Sequence, residues 1–167
     1  MPRTFLVIDI QNDYFSGGAL PLWQAAETEA RIIAAIAQAR SGGDKVVLVQ
    51  HVSKDRTGLF ADGAPGTALR PAILAAAADA PIITKRYADA FQDTELAKHL
   101  DVDSELLICG MMTQNCVVFT AMSAVAESFQ RRVVADLCTA PTEPVHRIAV
   151  SALRSKLDVV TVEEAFV

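Results

Sequence analysis

Short apolar runs rich in β-branched residues alternate along the chain with longer stretches of helical spacing, the rhythm of βαβ units and a parallel sheet. The runs predict strands near Phe5–Ile10, Lys45–Val52, Pro81–Thr84, Glu105–Gly110, Arg132–Leu137 and Asp158–Val162. A first helix is expected from Leu22 to Arg40, where Ile32, Ile33 and Ile36 recur at helical spacing and Gly42–Gly43 supply the stop. A second is expected over Ala68–Ala78, with Pro71 tolerable only in its first turn. Thr94–Leu100, a long Asn115–Phe129 and Pro144–Ser155 complete the set, with Thr142 as N-cap of the last. Ser53–Thr67 carries Gly58, Gly63, Pro65 and Gly66 among polar residues and is the longest loop, either a binding loop or a plain surface connection. No repeat or composition break divides the chain, so residues 1–167 read as one domain.

One stretch tests that reading. No charged residue occurs between Glu105 and Glu127, a gap long enough to raise the question of a membrane span. Gly110, Thr113, Gln114 and Asn115 stand at its centre, where unpaired polar groups in lipid would each cost several kcal/mol, so it reads as strand, turn and helix. At the N-terminus only Phe5–Ile8 precede Asp9, too short a run for a secretory signal. Three cysteines, Cys109, Cys116 and Cys138, suggest reduced thiols and a cytoplasmic setting. Fifteen Lys and Arg against 20 Asp and Glu give a net charge of −5, which argues against a nucleic-acid partner. Hydrophobic residues make up 51% but aromatic ones only 6%, an aliphatic composition suited to buried parallel strands under helices.

In an open parallel sheet the ligand site lies beyond the carboxyl ends of the strands. Asp9 closes the first expected strand, Lys85 closes the third, and Cys116 follows the fourth by a six-residue turn and opens a helix. Taken singly, these are commonly a turn carboxylate, a solvated ammonium and a small buried hydrophobe. Together they form a coherent chemistry at one edge. A helix N-terminus and a nearby ammonium can bring a thiol from about 8.5 into the range of about 3.5–7.5, and Cys116 has both candidates. Asp9 would move the thiol proton to a leaving group, and Lys85 would hold the carboxylate and thiolate in place. Backbone N–H groups of Met112, in the turn Gly110–Asn115, and of Cys116, just after it, are candidates for an oxyanion hole. Acid, cation and nucleophile suffice for acyl transfer without histidine or metal.

Three segments then carry a family resemblance: Val7-Ile8-Asp9-Ile10-Gln11-Asn12-Asp13-Tyr14-Phe15, Thr84-Lys85-Arg86-Tyr87-Ala88-Asp89-Ala90-Phe91-Gln92-Asp93-Thr94-Glu95-Leu96 and Gly110-Met111-Met112-Thr113-Gln114-Asn115-Cys116-Val117. In order and spacing the chain resembles, over nearly its whole length, the isochorismatase-like cysteine hydrolases, which include nicotinamidases and carbamoylsarcosine amidases. The resemblance implies a Rossmann-like three-layer α/β/α sandwich with a mostly parallel six-stranded sheet. It implies an Asp9–Lys85–Cys116 triad, a cis Met111–Met112 peptide, and a thioester route that cleaves a C–N bond of a small amide. It also implies a homodimer or larger homo-oligomer.

Two departures narrow the resemblance. Nicotinamidases usually carry an Asp-x-His pair and a further His for a metal, whereas this chain has His51-Val52-Ser53 and no other His before His99, so neither metal nor other cofactor is expected. His51 reads as a structural or pocket-wall histidine, and His99 and His146 as ordinary helix residues. True isochorismatases hydrolyse a vinyl ether and tend to lack the cysteine; Cys116 favours an amide. Gln11, Tyr14, Tyr87, Phe91, Asn115 and Phe119 are candidates to line the substrate pocket, Trp23 is expected to pack under the first helix, and Cys109 and Cys138 to be buried and inert. Two alternatives stay open: ether hydrolysis by Asp9 and Lys85 without a covalent intermediate, and a non-catalytic binding subunit of the same fold. No Gly-x-Gly-x-x-Gly or Walker sequence follows a strand, which weakens a nucleotide-binding reading.

Overall fold

The computed structural model describes residues 1–167. Six strands, β1 (Arg3–Ile8), β2 (Lys45–His51), β3 (Ile82–Lys85), β4 (Glu105–Met111), β5 (Gln130–Thr139) and β6 (Asp158–Val160), form one sheet in the order β3-β2-β1-β4-β5-β6. Every neighbouring pair is parallel, so the sheet is purely parallel. Burial follows position. Thr4–Ile8 of β1 and Leu106–Met111 of β4 are buried at every residue, whereas the edge strand β3 alternates exposed and buried. Parallel strands covered on both faces need such continuous apolar runs.

The strand order reverses between β1 and β4, which opens a crevice at their carboxyl ends. In register, Ile8 lies opposite both Val49 and Gly110, and His51 lies opposite Lys85. The residues that follow β1, β2, β3 and β4 therefore leave the sheet along one edge.

Helix α1 (Ala25–Ser41) buries Ala25, Thr28, Ile32, Ala35, Ile36 and Ala39, a stripe at three- and four-residue spacing, and ends at Gly42 with Gly43 at φ 81°. Helix α2 (Pro71–Ala77) starts on Pro71, where the missing N–H costs nothing. Helix α4 (Glu143–Arg154) is capped as expected, Thr142 Oγ1 accepting from Val145 N at 3.4 Å. A short α5 (Val162–Ala165) adds to the expected helices, and Thr161 and Glu164 form a reciprocal capping box that marks it.

Two expected helices differ. The segment Asn115–Phe129 is a π turn (Thr113–Val117), one α turn, α3 (Val118–Ala121), and a 3₁₀ turn (Val125–Ser128). Asn115 N and Val117 N both return to Met112 O, at 3.1 and 3.3 Å, which widens the first turn. Thr120 Oγ1 accepts from Ala90 N at 2.9 Å, tying α3 to the loop after β3. Thr94–Leu100 contains only a 3₁₀ turn, Leu96–His99, because Thr94 Oγ1 donates to Ala90 O at 2.6 Å and accepts from Leu96 N at 3.2 Å. No helix is long and apolar enough to cross a membrane.

Candidate active site

Asp9 leaves β1 in the left-handed region (φ 55°), with its N–H donating to Val49 O at 3.0 Å, and is fully buried. That backbone turn takes the side chain out of the alternation of the strand and into the crevice; a carboxylate residue tolerates it better than a β-branched one. Across from it Gly110 has φ 127°, and a Cβ there would lie 2.1 Å from Ile8 O. Only glycine lets β4 pass this close to β1 before the chain turns through the cis Met111–Met112 peptide into the π turn that holds Cys116.

Lys85 reaches from the edge strand β3 over the end of β2. Its ammonium lies 2.9 Å from Asp9 Oδ2, 2.7 Å from His51 Nδ1, 3.0 Å from Tyr87 O and 3.2 Å from Cys116 Sγ. An ammonium only donates, so His51 Nδ1 is the acceptor and its ring proton sits on Nε2. The contact with Asp9 is charge to charge: neither carboxylate oxygen accepts an aligned hydrogen bond from the chain, although both are buried. They are acceptors left free for an N–H or S–H. The ligand-type atoms of Asp9, His51 and Cys116 lie within 4.8 Å of one another. The ammonium already faces all three, and a divalent ion at their centre would have to displace it.

The protonation states follow from burial and charge. Burial pushes the Cys116 thiol well up, the Asp9 carboxylate adds to this, and Lys85 only partly opposes them. The expectation of a depressed thiol is therefore corrected: at rest the site holds a protonated sulfur, since the helix behind it is a single α turn and burial outweighs the ammonium. Burial alone would lower Lys85, but Asp9 and Cys116 more than compensate and its ammonium is held above its ordinary range. His51 is held below 6.5 by burial and then by Lys85, which keeps it neutral.

Around this cluster the other candidates take different places. Gln11 is fully buried, and its amide donates to His51 O (2.8 Å) and Thr67 O (2.7 Å) while accepting from His51 N (2.9 Å). It joins the ends of β1 and β2 to the long loop. Tyr14 is buried edge-on to Phe60, centroids 4.7 Å apart, and burial with the nearby Asp9 pushes its phenol far up. Tyr87 gives its carbonyl to Lys85 and its hydroxyl to Lys54 (3.0 Å). Phe91 is buried against Phe129, centroids 6.3 Å apart, Asn115 is half-buried in the π turn, and Phe119 is exposed on α3. The Met112 N–H donates to no group in the chain, whereas the Cys116 N–H lies within the π turn. Trp23 lies against His146, centroids 5.8 Å apart, and His146 Nδ1 meets Thr113 Oγ1 at 2.7 Å, so both support the turn from behind. Cys109 and Cys138 are buried, unbridged and pushed up by burial.

Asp13 carries a role that local sequence patterns do not assign. Asp13 accepts from Phe60 N (2.9 Å) through Oδ2 and from Ala19 N (3.1 Å) through Oδ1, and a Cβ on Gly66 would lie 2.0 Å from its Oδ1. It fastens the loop Ser53–Thr67 over the crevice, with Phe60 buried between Tyr14 and His51. About forty residues separate Asp13 from this loop in the sequence, so spacing does not connect them. Cys116 is only 3% exposed, and none of the larger cavities is lined by Asp9, Lys85 or Cys116; the largest lined partly by hydrophobic residues lies instead beside α4. The reacting groups lie beneath their surroundings.

Comparison with known proteins places the chain. The isochorismatase domain model matches residues 3–164. An isochorismatase family protein of Bacillus subtilis is 29% identical over 99% of both chains. Streptothricin hydrolase of Streptomyces noursei is 32% identical over 73% of this chain and 44% of its own length. The crystal structure described as a putative isochorismatase hydrolase from Oleispira antarctica superposes with a TM-score of 0.89 at 29% identity, over 99% of this chain and 96% of that one.

Proposed function

Since the chain belongs to the isochorismatase family, we propose that it is a hydrolase that cleaves the C–N bond of a small amide through a Cys116 thioester. The observation that carries this reading is the Lys85 ammonium set between Asp9 Oδ2 (2.9 Å) and Cys116 Sγ (3.2 Å), beside two buried Asp9 oxygens with no aligned donor. A relative whose name is streptothricin hydrolase supports the hydrolytic class.

In this reading Asp9 takes the Cys116 S–H proton as sulfur bonds to the amide carbon, so the thiolate exists only while it attacks. This suits a thiol that burial keeps protonated at rest. The oxyanion takes hydrogen bonds from the backbone N–H of Met112 and Cys116, donors worth about 10²–10³ in rate each. As the C–N bond breaks, Asp9 returns the proton to the departing nitrogen. Water then attacks the thioester, Asp9 takes one water proton, and that proton goes back to sulfur as the acid leaves. Lys85 holds the carboxylate and sulfur together throughout, and its persistent charge keeps Asp9 from retaining the proton. Tyr14, Tyr87 and Asn115 are the candidates to line this path, and Gln11 acts by placing His51.

The raised thiol also favours a second reading, in which Asp9 and Lys85 hydrolyse an ether and Cys116 is only a wall. Intact mass measured on a slowly turned-over amide separates the two. The first reading requires a covalent acyl adduct on Cys116 and loss of turnover in Cys116→Ala; a Cys116→Ala protein with full activity rules it out.

A further inference from the structure

On the residues that follow β2 and β3, three cations stand together. Lys54, Arg56 and Arg86, with Asp62, line a cleft of about 700 Å³ that has no hydrophobic wall residue. The chain has a net charge of −5, yet none of the three forms an ion pair with a carboxylate. Two of them are nevertheless held in place. Arg86 Nη1 donates to Ser53 O at 2.9 Å, and Lys54 Nζ donates to the Tyr87 hydroxyl at 3.0 Å while lying 4.6 Å from that ring's centroid. Neutral partners orient these charges without cancelling them, and Asp62 leaves a cationic excess, so the cleft keeps a field that draws anions.

The cleft meets the reacting groups through two residues. Tyr87, whose hydroxyl holds Lys54, receives Lys85 Nζ on its carbonyl at 3.0 Å. Arg86 follows Lys85 in the chain, and its charge acts on His51, whose Nδ1 meets the same ammonium at 2.7 Å. Lys54 is thus joined to Cys116 through Tyr87 and Lys85, by contacts of 3.0, 3.0 and 3.2 Å.

Resting on the amide-hydrolase reading, we infer that the substrate is an amido acid, with a carboxylate remote from its scissile amide that is received by Arg86 and Lys54. The planar guanidinium can grip both carboxylate oxygens, and the ammonium supplies a second charge. A neutral amide of the same length makes neither contact and leaves both cations facing an uncharged group.

Alkylation of Cys116 tests the inference without requiring the natural substrate. Iodoacetate and iodoacetamide form the same S–C bond with release of iodide and differ only in carboxylate against carboxamide. The rate ratio of the two at Cys116, read by peptide mass and divided by the ratio for a free cysteine derivative, is expected to exceed one by about threefold to thirtyfold at low salt. It falls toward one in Arg86→Gln and Lys54→Met, and in salt of about 0.5 M, where charges are screened within a few Å. A ratio at or below one, unmoved by either variant, overturns the inference. Where the buried thiol excludes both reagents, kcat/KM over short ω-amido acids and their neutral diamides decides. Preference for the acids that Arg86→Gln abolishes supports the inference, and equal turnover, or none on the acids, overturns it. Full turnover in Cys116→Ala would remove the thioester reading while leaving the charge preference standing, so the two failures are told apart.

Discussion

His51 and Lys85 face each other twice, once as register partners of β2 and β3 and again where Nδ1 of one meets Nζ of the other at 2.7 Å. The second contact depends on the first. Adjacent parallel strands bring the two side chains out of the sheet together, and Gln11 then fixes His51 by bonding both its N–H and its carbonyl. A neutral imidazole is an acceptor for the ammonium that adds no charge, so it aims Lys85 without competing with Asp9.

Replacing that acceptor should loosen the ammonium. His51→Ala is expected to lower kcat by about tenfold to a hundredfold, the effect of misplacing a positioned group by a fraction of an ångström to an ångström, with KM less affected. His51→Asn, which restores a short polar acceptor, recovers part of the loss. Steady-state kinetics of both variants checks this, and an unchanged kcat in His51→Ala contradicts it.

The Asp9–Lys85 pair is fully buried, side chains at 0% exposure on both sides. Removing one partner leaves an unpaired buried charge, so Lys85→Met is expected to destabilise by about 3–5 kcal/mol. The double variant Asp9→Asn with Lys85→Met should regain most of this stability while remaining inactive. Urea unfolding of the single and double variants reads the difference, and additive losses would contradict the pairing.

Burial raises the Cys116 thiol above its ordinary range. Alkylation by iodoacetamide should therefore be slower than for a free cysteine at pH 7 and still rise without a plateau through about pH 10, where a free thiol of about 8.5 has levelled off. A plateau near pH 6–7, roughly where an activated thiolate would titrate, would show that charge outweighs burial.

Gly110 has no room for a side chain. Gly110→Ala sets a Cβ at 2.1 Å from Ile8 O in a conformation that L residues rarely adopt. The two central strands must separate, and the loss of stability is expected to reach several kcal/mol, by overpacking and backbone strain together. Thermal unfolding compares it with Gly43→Ala, which meets nothing within 4 Å and carries only the strain of a φ of 81°.

Stability should also narrow at both ends of the pH scale. His51 and His146 are held below 6.5 by burial, so the unfolded chain binds more protons than the folded one once the pH falls below about 6.5, and stability drops from there. Cys109 is pushed well up by burial and Cys138 up to about 12, against an ordinary 9.0. The folded chain therefore retains protons that the unfolded one loses above about pH 9, and stability drops again. Melting temperature across pH 5–10 should show a plateau between these limits, and a monotonic curve would contradict the assignment.

By itself the sequence determined the fold class and a set of candidate reacting residues. Continuous apolar runs at β1 and β4 suit parallel strands covered on both faces, and strand-end position picks out Asp9, Lys85 and Cys116 as candidates because side chains there leave the sheet along one edge. Local rules also placed α1 and the Thr142 cap, and kept Pro71 to the first turn of α2, which begins there rather than at Ala68. Tertiary structure decided what those residues experience. That the helix after β4 is a π turn followed by one α turn depends on two N–H groups sharing Met112 O, and that Asp13 fastens a loop through Phe60 and Gly66 depends on contacts across about fifty residues. The direction of the Cys116 shift was decided there too. A motif shows which charges are near a sulfur in sequence, but burial, the larger effect here, is a property of everything packed around it.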